Sequence, residues 1–363
     1  VGGVNFASLN GTSIVSGAGT YGTFLTSGGT AGTTYLLNGS STTTAAQTIN
    51  NLKITGNGIL NLGGPLSLNA GGLIFDNSTG AMAVTGSTLG AAGAELIVTV
   101  NGSNGSSVAN ALTINSLLGS GGASLTKAGT GVLTLGGANV YSGTTSILAG
   151  ALTTGTANVL PDYSAVVIYK AGTLSLGGND AIGSLAGAGN LSLGGYRLAV
   201  GSDNTVPAAF SGVISGNGSL SKVGTGDLLL SGNNTFSGGV NVSNGVLIAS
   251  GSGALGASTN LVSVNAVNTA GFQGGMLVFD GGASGATLSQ SLTLGGRGST
   301  VNSGAAALLS IGNNTLSGNV LLGNPITASA LALAYGNTTI TGGLSLSPAQ
   351  ASYFAGNGNL IMA

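Results

Sequence analysis

The segment Ser124–Thr154, SLTKAGTGVLTLGGANVYSGTTSILAGALTT, returns without a gap as Ser219–Ser250, SLSKVGTGDLLLSGNNTFSGGVNVSNGVLIAS. The offset from Ser124 to Ser219 is 95 residues. Leu125 aligns with Leu220, Lys127 with Lys222, and Gly129 and Gly131 with Gly224 and Gly226. Leu133, Leu135, Asn139, Tyr141 and Gly143 align with Leu228, Leu230, Asn234, Phe236 and Gly238. An ungapped internal copy of this length restricts the chain to repeat architectures, in which each unit buries its apolar face only against its neighbours.

Smaller echoes lie inside and outside the two copies. TLSLGG at 173–178 and NLSLGG at 190–195 imply finer units of roughly 17–24 residues, the length of one solenoid coil. GGLIFD at 71–76 returns as GGMLVFD at 274–280, so weaker copies lie near 52–76 and 311–346. Throughout, apolar bursts of three to five residues with period-two alternation are separated by Gly and Asn, which is the strand-and-turn signal. No stretch sustains the i, i+3, i+4, i+7 pattern of an amphipathic helix. A Ser347-Pro348 pair is the one mild helix-start signal, ahead of AQASYF. The fold class expected is therefore all-β: a parallel β-helix running as one continuous solenoid over 1–363, with Gly and Asn supplying positive φ at the corners. Coils of this length, rising ~4.8 Å each, would number ~15–18. An array of β-sandwiches is the alternative, disfavoured by echoes at a quarter of the 95-residue spacing.

Composition decides which functions are open. The chain holds six Lys and Arg and seven Asp and Glu in 363 residues, where an ordinary domain is about a quarter charged. Hydrophobic residues at 42 % argue against disorder. Six scattered cations cannot neutralise a run of phosphates, which excludes nucleic acid as a partner and anionic membrane surface with it. No apolar run approaches the length of a transmembrane helix. His and Cys are absent, which removes Ser-His-Asp and Cys-His nucleophile systems and the usual zinc site, and no cofactor is implied. The surface left is Ser, Thr, Asn and Gly, which favours self-association, laterally or end to end into a filament, or hydrogen bonding to glycans or to a host or neighbouring cell surface. The chain opens on Val1-Gly2-Gly3-Val4, without Met, and reads as a processed chain or an excised piece.

The pattern Leu-x-Lys-x-Gly-x-Gly-x-Leu-x-Leu, then Gly-x-Asn-x-Tyr/Phe-Ser-Gly, resembles the autotransporter-associated β-strand repeat of bacterial type V secreted passengers. That resemblance is close over 125–152 and 220–247. It implies a right-handed β-helix, an extracellular or cell-surface location, and a stalk, fibre or adhesive role. Such passengers end in a membrane β-barrel, and nothing after residue 250 has that character.

Three sets of residues are candidates for more than scaffolding. Asp162, Asp180, Asp203 and Asp227 are spaced 18, 23 and 24 residues apart, close to a coil, so they could stack as a Ca²⁺-binding column in a polysaccharide lyase or glycosidase. The bland alternative puts each Asp at its own solvent-facing turn. Lys127 and Lys222 could contact an acidic glycan, but are read as outward residues packing their stems over apolar surface. Tyr141, Phe236 and Leu316 could form a sugar-stacking ladder, but are read as core. The resulting expectation is a non-enzymatic structural or adhesive solenoid, with a β-helical lyase or glycosidase, or a glycan-binding adhesin, as the alternatives.

Overall fold

A computed structural model describes residues 7–10, 13–16, 22–23, 27–76, 80–93, 95–102, 110–119, 123–265, 274–295, 306–323, 329–347 and 352–363. Arg297 lies outside them. Among the described residues there is no helix, and every strand pairing but one is parallel; the exception joins Ala7–Asn10 to Ser13–Ser16. Packing divides the chain into two compact units, Val1–Gly178 and Asn179–Ala363.

In the first unit, parallel strands stack coil on coil. Thr34–Leu37 pairs with Gln47–Ile54, which pairs with Leu66–Phe75. That strand carries Glu95–Val100, then Ser124–Ala128, Thr145–Thr154 and Val166–Ser175. A second ladder runs from Gly58–Leu62 through Ala81–Gly86 and Ala111–Ile114 to Val132–Leu135. Strands such as Val132–Leu135 alternate half-exposed and buried residues, so one face of each ladder lies inside and the other meets solvent. Each inward Leu, Ile or Val contributes about 1.5–3 kcal/mol of burial.

Three long parallel ladders run through the second unit. One holds Asp180–Ile182, Arg197–Val200, Ser219–Lys222, Val240–Val242, Leu261–Val264, Ser291–Leu294, Val320–Leu322 and Leu344–Leu346. The others run from Asp227–Leu230 to Ser352–Gly356 and from Thr287–Leu288 to Asn359–Met362. The helix-start signal at Ser347-Pro348 does not yield a helix in what is described: Ser352–Gly356 is a strand paired with Ser329–Tyr335, because a ladder was waiting for its backbone. Positions 348–351 lie outside the described residues.

Register shows how long a coil is. In the second unit Val200, Lys222, Val242 and Val264 are stacked partners, so successive coils take 22, 20 and 22 residues. The next step, Val264 to Leu294, takes 30. Strand partners are kept across this longer step, and single-residue register shifts occur within strands, as between Ile147 and Ala149. Most corners are glycine; among non-glycine residues described, only Asn158 and Asn204 have positive φ. Asparagine therefore does less of the corner work than its abundance suggests, and its main task is a different one, set out below.

Candidate functional site

The repeat leucines Leu125, Leu133, Leu135, Leu220, Leu228 and Leu230 are all buried. Tyr141, Phe236 and Leu316 are buried too, Tyr141 with its hydroxyl bonded to Thr145 Oγ1 at 2.7 Å. As the core reading expects, these rings offer no platform for sugar stacking.

Lys127 and Lys222 are not on the surface. Both have no exposed area. Lys127 stands between Val98 and Ile147 in one inward column, and Lys222 between Val200 and Val242 in the other. The outward reading fails on parity: Leu125 and Lys127 are two apart on one strand, and so are Leu220 and Lys222, so each Lys shares the inward face of its Leu. Each ammonium is held by backbone carbonyls. Lys127 Nζ donates to Ala128 O at 2.7 Å, Gly129 O at 2.7 Å and Ala149 O at 3.0 Å. Lys222 Nζ donates to Val223 O, to Gly224 O at 2.9 Å and to Asn244 O at 3.2 Å. Three N–H donors meet three acceptors, and the third acceptor belongs to the next coil. Burial pushes both ammonium groups down to about 8; at Lys222 the carboxylates of Asp227 and Asp203 oppose the shift.

Asn139 and Asn234 repeat the device with an amide. Asn139 Oδ1 accepts from Leu118 N at 2.8 Å, while its Nδ2 donates to Val159 O at 2.9 Å. Asn234 Oδ1 accepts from Ile214 N at 2.8 Å and its Nδ2 donates to Ala254 O at 2.6 Å. One buried side chain thus ties the coil below to the coil above. The sequence reading gives asparagine in general to the corners and Asn139 and Asn234 to the repeat pattern. The signal that separates them is recurrence two residues before the buried Tyr141 or Phe236 position, as Asn-x-aromatic.

The aspartates do not form a column. Asp180 pairs in register with Leu198, and Asp227 with Val246. Asp203 caps its own turn, accepting from Thr205 N at 3.1 Å, and Asp162 is an exposed turn residue of the first unit. Among the described residues, no three His, Cys, Asp or Glu side chains come together. Spacings of 18, 23 and 24 fail to stack because coil length varies, so a sequence interval does not fix a position on the coil.

The outward faces hold the remaining polar groups. In the second unit Ala199, Ser221, Asn241, Ser263 and Thr293 follow one another up one ladder, and Arg197 stands over Ser219 beside them. In the first unit Glu95 stands over Ser124 at the equivalent place, and its carboxylate accepts from Thr126 Oγ1. The ion pair in the described residues joins Lys53 to Asp76 at 3.2 Å.

Residues 125–153 and 220–249 match the family model of the passenger-associated-transport-repeat. The chain is also similar to the adhesin BmaC autotransporter of Brucella suis biovar 1 (strain 1330), with 33 % identity over 280 residues. That alignment covers 73 % of this chain and 8 % of the relative, so the chain spans a small part of the protein it matches. No solved structure matches the chain.

Proposed function

We propose that this chain, which carries passenger-associated transport repeats, is a length of cell-surface passenger whose work is structural and adhesive, without catalysis. The observation that carries the reading is the fate of the two repeat lysines. The polar side chains best suited to chemistry are consumed in holding one coil to the next, and the outward ladders present Ser, Thr and Asn. The similarity to an autotransporter adhesin supports an extracellular location and contact with other surfaces. Sparse charge supports self-association, end to end or lateral.

The test has two arms. Purified chain is assayed for retention on immobilised cell surfaces and, separately, for cleavage of polysaccharides with Ca²⁺ present. Retention without cleavage is expected. Cleavage that disappears when Asp203 and Asp227 are replaced by Asn would overturn the non-enzymatic reading. For self-association, electron microscopy at high protein concentration is expected to show filaments or bundles; dispersed single particles would count against it.

A further inference from the structure

We infer that the outward groove beside Arg197 in the second unit binds carboxylated glycan chains; this rests on the adhesive reading and gives it a site and a ligand class. The groove is open, about 540 Å³, and is lined by Arg197, Ser219, Ser221, Gly239, Asn241 and Leu261 among others. It exists because of what stands at one register position. Ser219 precedes Leu220, the partner of Val240, so the residue above Ser219 is Gly239, and the residue above Gly239 is Leu261. With no side chain at Gly239 the column from Arg197 to Leu261 is notched.

The first repeat copy differs at this register position. There Thr144 stands where Gly239 stands in the second, and Glu95 where Arg197 stands. Glu95 is occupied by Thr126 Oγ1. Arg197, by contrast, is exposed, and its guanidinium has neither an ion pair nor a hydrogen bond among the described residues. No carboxylate lines the groove. Ser221, 6 % exposed, lines the groove as well.

These features select a ligand. A free guanidinium with its fork of N–H donors favours a planar carboxylate over a point-like or neutral group. The hydroxyls and the Asn241 amide favour a partner dense in hydroxyls, and exposed Leu261 offers an apolar wall for a sugar-ring face. Rungs about 4.8 Å apart present these groups at roughly the length of a pyranose, so successive sugars of a uronate chain meet successive coils.

Calorimetry with an oligogalacturonate and its methyl-esterified counterpart of equal length tests the inference on the purified chain. The acid form is expected to bind about tenfold or more tightly than the ester, the difference a charge-assisted pair supplies, and to weaken with added salt. Arg197→Gln should lose about tenfold of that affinity, Arg197→Lys should keep part of it, and Lys170→Gln should change nothing. Arg197 and Lys170 are exposed, so the variants should match the parent in thermal unfolding. Equal binding of acid and ester, no binding of the acid, or indifference to Arg197→Gln would each overturn it. Retention on cell surfaces separates the two readings. Retention of the parent chain without any uronate binding leaves the adhesive reading standing and sinks the groove. Arg197-dependent uronate binding without retention sinks the adhesive reading and leaves the groove.

Discussion

Lys222 Nζ donates to the backbone carbonyl of Asn244, 3.2 Å away in the coil above, and so fastens two coils through an ammonium buried in a column of valines. Lys127 does the same to Ala149 at 3.0 Å. A charge in that setting is costly, and it persists because its three N–H groups satisfy carbonyls that apolar neighbours could not. The pairing is inter-coil, which makes these lysines part of what keeps the stack in register.

Replacing Lys222 by Met keeps length and apolar packing but leaves three carbonyl oxygens without their donor. The burial cost of the charge is relieved at the same time, so the net effect at pH 7 is a loss of about 1–4 kcal/mol. Urea unfolding of Lys222→Met and Lys127→Met measures it. A variant as stable as the parent would mean that the carbonyls find other partners.

Stability should rise with alkaline pH through these same residues. In the folded chain both ammonium groups are pushed down to about 8 from the ordinary 10.5, chiefly by burial. Below about pH 8 both states carry the charge and the burial cost is fully present. Between about 8 and 10.5 the folded chain releases its protons first, and stability climbs by up to roughly 3 kcal/mol per lysine. The deficit of the Lys127→Met, Lys222→Met double variant should therefore widen from pH 7 to pH 9.5. Thermal unfolding of parent and variant side by side isolates the lysines from other titrating groups such as Tyr35.

The asparagine bridges give a separate expectation. Asn234→Ala strands a buried N–H at Ile214 and a carbonyl at Ala254, for about 2–4 kcal/mol. Asn234→Asp is expected to be worse, since a carboxylate still accepts from Ile214 N but cannot donate to Ala254 O, and places a charge in the core. Hydrogen exchange at Ile214 should quicken in Asn234→Ala, which removes its acceptor. Unchanged protection there would disprove the bridge.

The stack itself was legible from the copy of Ser124–Thr154 at Ser219–Ser250, because period-two leucines can be read from sequence and a repeat has to bury them against itself. Parity turns Lys127 and Lys222 inward as well, since each stands two residues beyond Leu125 or Leu220 on one strand. The partners of the lysines were beyond reach. They are backbone carbonyls, which carry no sequence signature, and one of them lies 22 residues on in a coil whose length nothing local dictates. The supposed aspartate column failed for the same reason: Asp180 met Leu198, not Asp203. The Arg197 groove depends on a missing side chain, Gly239, which becomes informative only beside Thr144 in the other copy.

Gly150 and Gly245 close the lysine cages from outside, and their substitution gives the sharpest contrast between a corner and a cage. Both have positive φ, +67° and +65°, so a side chain at either is strained before any contact is made. Each also sits against the carbonyls the ammonium needs. A Cβ on Gly245 would lie 2.6 Å from Gly224 O and 2.8 Å from Lys222 Nζ, and one on Gly150 would lie 2.6 Å from Gly129 O. Gly251 has positive φ as well, +92°, but a Cβ there meets nothing within 4 Å. Gly251→Ala thus measures the backbone strain alone, about 1–2 kcal/mol, and Gly245→Ala should exceed it by about 1–3 kcal/mol of crowding. In the Lys222→Met background the excess should shrink, because the crowded ammonium has gone and a thioether methyl can turn aside. A double-mutant cycle on urea midpoints reads that coupling; additive losses at Gly245 and Lys222 would mean that the glycine is a corner and nothing more.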